Sequence, residues 1–183
     1  CRDADVAAAT SGRVLVTSAM GAVTRERLMA VLDTVMDPEV PVLSVVELGI
    51  IRDVEVRGDA VKVTVTPTYS GCPAMHVIER DIEAALRENG ASTVEITMRH
   101  SPAWTTDWMP ALAREKLRAY GIAPPGPATP DAPIAIGRRR PAVRCPYCGS
   151  AKTETRSEFG STACKAIHVC RACAQPFEEF KAI

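Results

Sequence analysis

Aromatic side chains are scarce in this chain: Phe, Tyr and Trp together make up only 4% of its residues. Its core must therefore be packed from Val, Ile, Leu, Ala and Met, which dominate a hydrophobic content of 46%. An excess of charge of one sign is also missing. Lys plus Arg and Asp plus Glu number 22 each, so there is no general electrostatic reason to expect a nucleic-acid or membrane-surface partner. No apolar run approaches the ~20 residues needed to cross a bilayer. No export signal is visible either, because the run from Val6 to Ala9 is cut short by Thr10, Ser11, Gly12 and Arg13. The chain starts at Cys1, Met20 offers an alternative start, and residues 1–22 are expected to form a loosely ordered extension. There is no internal repeat, serine-hydrolase elbow, P-loop, dinucleotide fingerprint or paired-carboxylate motif, so the common catalytic signatures are excluded.

Cysteine, by contrast, is concentrated in one place. Cys145, Cys148, Cys164, Cys170 and Cys173 crowd the end of the chain, with only Cys1 and Cys72 elsewhere. Such crowding argues for metal binding in a reducing cytoplasm rather than a distributed disulfide scaffold. Cys145-Pro-Tyr-Cys148 and Cys170-Arg-Ala-Cys173 have the form of rubredoxin-like knuckles, each at the tip of a short hairpin. A tight Cys-x-x-Cys turn lets two sulfurs reach one ion, and two such turns complete a tetrahedron suited to zinc or iron, with zinc preferred. The gap between the pairs lies just beyond the usual window of about 15–20 residues. Two disulfides or a redox pair are the alternatives, weakened because a redox motif normally stands alone ahead of a helix.

The rest of the chain reads as an α+β domain. Residues 24–36 form a first helix, capped by Thr24, with Leu28, Val31, Leu32 and Val35 on one stripe. Asp37-Pro38 stops it. Ser44-Val-Val-Glu47 has the form of a capping box, which Gly49 would close in a left-handed conformation. Residues 50–56 and 61–66 alternate as a hairpin turned by Arg57-Gly58-Asp59. A loop then leads to Pro73, placed to open a helix that runs to Asn89 and stops at Gly90. A third strand over 93–98 and a last helix ending near Tyr120 complete an α-β-β-α-β-α order. Six prolines in residues 122–143 predict a semi-rigid spacer, with Arg138-Arg139-Arg140 as a solvated basic run. The expected organisation is an extension over 1–22, an α+β domain over 23–121, the spacer, and a metal ribbon over 144–183.

Cys72 is the chemical candidate inside the domain. Between Gly71 and Pro73, at a loop-to-helix junction, its thiolate would be favoured by free amides and the helix dipole. The competing reading is a small cysteine packed under the sheet. Asp37 and Glu39 could hold a metal or cationic group beside it, although capping the next turn is the more common use of such residues. His76 is four residues along; His100 and His168 have no obvious partner carboxylate. Trp104 and Trp108, four apart, would share one helical face as a lid or docking patch, or simply pack in the core.

These residues also carry a resemblance. Asp-Pro-Glu at 37–39, Leu-Gly-Ile at 48–50 and Thr-Pro-Thr-Tyr-Ser-Gly-Cys-Pro at 66–73 resemble the MIP18 family, formerly a domain of unknown function. Ser-Pro-Ala-Trp at 101–104, Tyr-Gly-Ile-Ala-Pro-Pro at 120–125 and Phe-Gly-Ser-Thr-Ala-Cys-Lys-Ala at 159–166 resemble its PaaD (or PaaJ) branch, found with the phenylacetyl-CoA ring-epoxidising oxygenase. The resemblance covers residues 24–183. It implies a small MIP18-like α/β sandwich with a carboxy-terminal zinc ribbon, working as an accessory factor rather than an enzyme. Its role would be to assemble or deliver an iron–sulfur cluster to an oxygenase component such as the reductase; a structural subunit is the alternative. The family's reactive cysteine falls on Cys72, with Asp37, Glu39, Thr66 and Gly71 nearby. A structural zinc would sit on Cys145, Cys148, Cys170 and Cys173, and a transient iron–sulfur cluster is compatible with Cys72. Cys164 could replace a zinc ligand, stay a free thiol, or join Cys72 at a cluster; His168 could also enter the zinc shell. A homodimer is compatible; nucleic acid and membrane are not expected.

Overall fold

The computed structural model describes residues 23–69, 71–128 and 142–183. The expected extension over 1–22 and the basic run Arg138-Arg139-Arg140 lie outside the described residues. Helix α1 spans Arg25–Leu32, shorter than its apolar stripe predicts; Thr24 caps it, its hydroxyl accepting the Arg27 amide at 3.3 Å. The segment after it turns back so that the Val45 amide donates to the Val35 carbonyl at 2.9 Å. That turn is secured by the expected capping box. The Ser44 amide donates to Glu47 at 3.1 Å, and the Glu47 amide donates to the Ser44 hydroxyl at 3.0 Å. Gly49 closes it at φ +74°, the left-handed region a side chain would resist.

Strands β1 (Ile51–Arg57) and β2 (Ala60–Val65) form the predicted antiparallel hairpin, and β3 (Thr93–Met98) adds parallel to β2. Helix α2 (Met75–Glu88) makes the crossover between β2 and β3 and buries Met75, Ile78, Ile82 and Leu86. Each such side chain withdrawn from water contributes about 1.5–3 kcal/mol. The helix starts two residues after Pro73, so Cys72 and Pro73 belong to a preceding turn rather than to the first helical turn. Helix α3 (Ala111–Tyr120) ends at Gly121, as expected, with φ +94°. Trp104 and Trp108 do not share a helix: Trp104 lies in an extended loop and Trp108 in a short 3-10 turn over Thr106–Trp108. The buried indole of Trp104 donates to the Leu48 carbonyl at 2.9 Å, while Trp108 stacks under the Arg52 guanidinium at 3.7 Å.

The chain then enters the second unit earlier than its proline content suggests. Ile122–Ala123 form strand β4, which pairs in parallel with β7 (Pro176–Phe180). With β5 (Thr153–Ser157) and β6 (Lys165–Cys170) they make a four-stranded sheet of order β4-β7-β6-β5. The ribbon is thus joined to the domain by a shared strand, not held away from it by a spacer. Cys164 and Phe180 enter the same buried core as α1, α2 and β2, and Phe180 meets Trp104 with ring centroids 6.2 Å apart. A sequence so poor in aromatics places one from each unit, both buried, at the seam.

Candidate functional site

Two groups of sulfur stand apart in the structure. The first is the ribbon quartet. Residues 145–148 and 170–173 form matching turns: the Gly149 amide donates to the Cys145 carbonyl and the Ala174 amide to the Cys170 carbonyl, both at 2.9 Å. The Cys145 and Cys170 amides donate in turn to the carbonyls of Ser150 and Gln175, both at 3.0 Å. Each turn needs a left-handed residue straight after its second cysteine, supplied by Gly149 at φ +72° and by Ala174 at φ +61°. The second turn is the tip of the β6–β7 hairpin; the first precedes β5 instead of joining two paired strands.

The four sulfurs lie within 4.8 Å of one another, with Cys145 and Cys173 3.7 Å apart and Cys148 and Cys170 3.6 Å apart. A disulfide would need about 2.05 Å, whereas a tetrahedron with metal–sulfur bonds of about 2.3 Å has edges of about 3.8 Å. The spacing therefore fits one divalent ion and excludes two disulfides. Charge points the same way. Backbone amides of Cys173 and Ala172 pull Cys170 down to about 6, overriding its desolvation. Cys173 accepts the Gln175 amide, yet desolvation and the neighbouring sulfurs push it up to about 12. Four thiolates can share this space only around a cation.

His168 is not one of these ligands. It is 3% exposed on β6, stacked on Phe177, with Nε2 2.8 Å from Glu179 and Nδ1 3.4 Å from Thr155. The partner carboxylate that the sequence did not reveal is eleven residues away in number and adjacent only across the β6–β7 pairing.

The second group surrounds Cys72. Its side chain is half-buried, so it is neither sealed in the core nor fully on the surface. The Cys72 amide donates to the Tyr69 carbonyl at 3.3 Å across the turn that holds Gly71 at φ +82°. Cys72 lines a small recess with Asp37, Glu39, Thr68 and Ile50 from the domain and Cys164 and Phe180 from the ribbon. The Tyr69 phenol is pushed up to about 12, first by burial, then by the acidic neighbours Cys72 and Glu39. Held protonated, it cannot serve as a base.

Asp37 caps, as expected: one carboxylate oxygen accepts the amides of Glu39 at 2.8 Å and Val40 at 2.7 Å. Glu39 instead faces the ribbon, where the Cys164 sulfur lies 3.8 Å from its carboxylate. Desolvation raises the pKa of Asp37, Glu39 and Cys164 alike. Thr66 is buried and its hydroxyl is the one buried side-chain oxygen without a hydrogen-bond partner among the described residues. His76 is exposed on α2. The proximity of Cys164 to Glu39 across 125 residues is what sequence spacing alone could not show. The signal was the motif around it: Gly160 packs so tightly that an added Cβ would meet Glu178 at 2.8 Å and Lys165 at 3.0 Å.

The chain is thus an α+β domain with a half-buried, accessible thiol, joined to a ribbon whose cysteine quartet can hold a metal ion. Residues 25–98 match the family model described as iron–sulfur cluster assembly protein, and residues 129–181 match the PaaD zinc beta ribbon domain. The chain belongs to the PaaD branch of the MIP18 (DUF59) family. It is 46% identical over 85% of its length to an Escherichia coli K12 protein, 92% of which is covered, provisionally named as one of the subunits of 1,2-phenylacetyl-CoA epoxidase. It is 39% identical to a Porphyromonas gingivalis protein named Fe-S protein maturation auxiliary factor, over 51% of this chain and 90% of that one. Among solved structures, a DUF59 domain from Bacillus anthracis shares 29% identity over 50% of this chain and 89% of its own, with a TM-score of 0.48. No described helix is long and apolar enough to cross a membrane.

Proposed function

We propose that this chain is a cytoplasmic, non-catalytic accessory factor that holds iron or an iron–sulfur cluster on Cys72 and passes it to an iron–sulfur component of a phenylacetyl-CoA-epoxidising oxygenase. The reductase of that system is the expected client. The observation that carries this reading is the half-buried Cys72 thiol, opening on a recess with two carboxylates. Such a site can bind and release a soft metal, since ligand exchange needs an accessible thiolate and no acid–base relay. Transfer then exchanges sulfur ligands: an iron–sulfur bond to Cys72 breaks as one to a client thiolate forms, with no change in electron count. The names of the relatives support both halves, one set by its maturation role and the other by its oxygenase. The ribbon quartet holds a structural zinc, and its sulfur spacing supports that assignment.

The test is a Cys72→Ser chain co-expressed with the client reductase. Iron and acid-labile sulfide in the purified reductase should fall several-fold while the variant keeps its zinc. A reductase with full cluster content would overturn the reading. The name of the Escherichia coli relative favours a second reading, in which the chain is a structural component of the oxygenase. In that case the chain would co-purify with the oxygenase in fixed stoichiometry, whether or not Cys72 is present.

A further inference from the structure

Cys164 is a sulfur that neither the zinc quartet nor the transfer reading uses. It is 4% exposed, and it lies on the seam between ribbon and domain. Its hydroxyl neighbour is Thr162, at 3.0 Å, and its sulfur faces the Glu39 carboxylate at 3.8 Å. The placement is built in. Lys165, the next residue, sends its ammonium across the seam to the Glu39 carbonyl at 3.1 Å and, within the ribbon, to Glu178 at 3.2 Å. Just after β7 the Lys181 amide donates to the Cys164 carbonyl at 2.9 Å. The sulfur is thus fixed beside Glu39 by contacts from both β6 and the segment after β7.

One cation borders the recess. Lys165 pairs with Glu178 and its charge also acts on Asp37 and Glu39, but among the described residues neither carboxylate is in direct ion-pair contact with it, and desolvation still raises both. A buried Asp37 and a half-buried Glu39 beside two thiols, with one lysine shared with Glu178, leave an excess of anionic donors that a metal ion would offset. Size limits what can enter. The free space is about 10 Å³ for the centre of a water-sized particle, enough for one atom-sized occupant and too little for a cluster of four irons.

We propose that Cys72 and Cys164, with Glu39, form a second metal site, made jointly by the domain and the ribbon, for a single thiophilic divalent ion of the ferrous type. This rests on the reading of Cys72 as the cargo thiol and adds the ribbon's sulfur as its partner. Among the described residues only the zinc quartet brings three or more donors within 4.8 Å, so the ion draws the Cys72 side chain inward as it binds. Two thiols release their protons to solvent as two metal–sulfur bonds form, and no electron is transferred. The ribbon then has a role beyond its own fold: it closes the cargo site from above, and undocking it would open that site to a client.

The experiment uses the zinc-loaded full chain without oxygen, titrated with cobalt(II) as the spectroscopic stand-in for ferrous iron while free zinc is monitored. One cobalt per chain should bind without zinc release, with thiolate-to-cobalt charge-transfer absorption. Cys164→Ser and Cys72→Ser should each weaken that binding by about tenfold or more. A Cys164→Ala chain that keeps its zinc shows that the ribbon remains folded. Absence of cobalt beyond that exchanged into the ribbon, or an unchanged affinity in Cys164→Ser, overturns the joint site. If Cys164→Ser binds as the parent does while Cys72→Ser still starves the reductase of iron, the joint site fails and the transfer reading stands. If both variants sustain full cluster content in the reductase, the transfer reading fails with it.

Discussion

Asp37 accepts two backbone amides, yet burial outweighs them and holds its carboxyl above the ordinary value of 3.8; Glu39 is raised from 4.5 by desolvation and by Asp37. Both groups therefore hold their protons more tightly folded than unfolded. Their contribution is fully present below those ordinary values and is lost as pH rises through the elevated folded ones. Asp37→Asn keeps an oxygen for the two amides but cannot ionise. Its denaturation midpoint relative to the parent should rise as pH increases from about 4 to 7, a difference measured by chemical unfolding at each pH; a constant offset would show that Asp37 titrates normally. Lys165 poses the opposite case, a cation 4% exposed that gives its protons to two acceptors. Lys165→Ala leaves Glu178 without its cation and the Glu39 carbonyl without a donor. The expected cost is about 3 kcal/mol by chemical denaturation, against 0–1 kcal/mol for an ordinary surface pair.

At the scale of elements, the two knuckles ask the same backbone question and answer it with different residues. Gly149 occupies the left-handed position freely, whereas Ala174 holds φ +61° with a Cβ. Ala174→Gly should raise the stability of the zinc-loaded ribbon by about 0.5–1 kcal/mol, and Gly149→Ala should lower it by about 1 kcal/mol, both read from the melting of the chain at fixed zinc. The knuckles were legible in the sequence because their geometry is local: Cys-x-x-Cys followed by a turn residue sets the amides within five positions. The capping box at Ser44 and Glu47, the Gly121 stop and the register of the β1–β2 hairpin were legible for the same reason. Elements whose ends depend on distant partners were not. Helix α1 stops short of its own apolar stripe because Val35 is drawn into pairing with Val45. The two tryptophans escaped a shared helix because Trp104 finds Leu48 and Phe180, both far off in sequence. The recess shows the same division. Asp37, Glu39 and Cys72 could be grouped from motifs; the approach of Cys164 follows from strand β4 feeding the ribbon sheet.

For the molecule as a whole, the question is how firmly the ribbon rides on the domain. The ribbon's own core is small: Ala123, Cys145, Cys170 and Phe177, with Val143 and Cys173 against it. So few apolar groups cannot hold a four-stranded sheet without the metal, because binding energy at a structural zinc site is also folding energy. The domain has an independent core of Leu, Ile and Val around β2 and α2. At the seam, Phe180 is 2% exposed against Trp104, and Tyr147 packs over Gly121, where an added Cβ would meet its hydroxyl at 2.7 Å. Phe180→Ala removes the ribbon's aromatic side chain from the seam and should cost about 3–5 kcal/mol. Because β7 also carries the ribbon sheet, the informative comparison is with chelation. Stripping the metal should expose the Cys145–Cys173 segment to protease and leave the domain's helical signal intact. Phe180→Ala should instead make Cys164 react with a bulky thiol reagent while the zinc stays bound. If the zinc is lost and Cys164 stays protected in that variant, the two units are held together by the metal and not by the aromatic seam, and the ribbon could not lift from the recess while remaining folded.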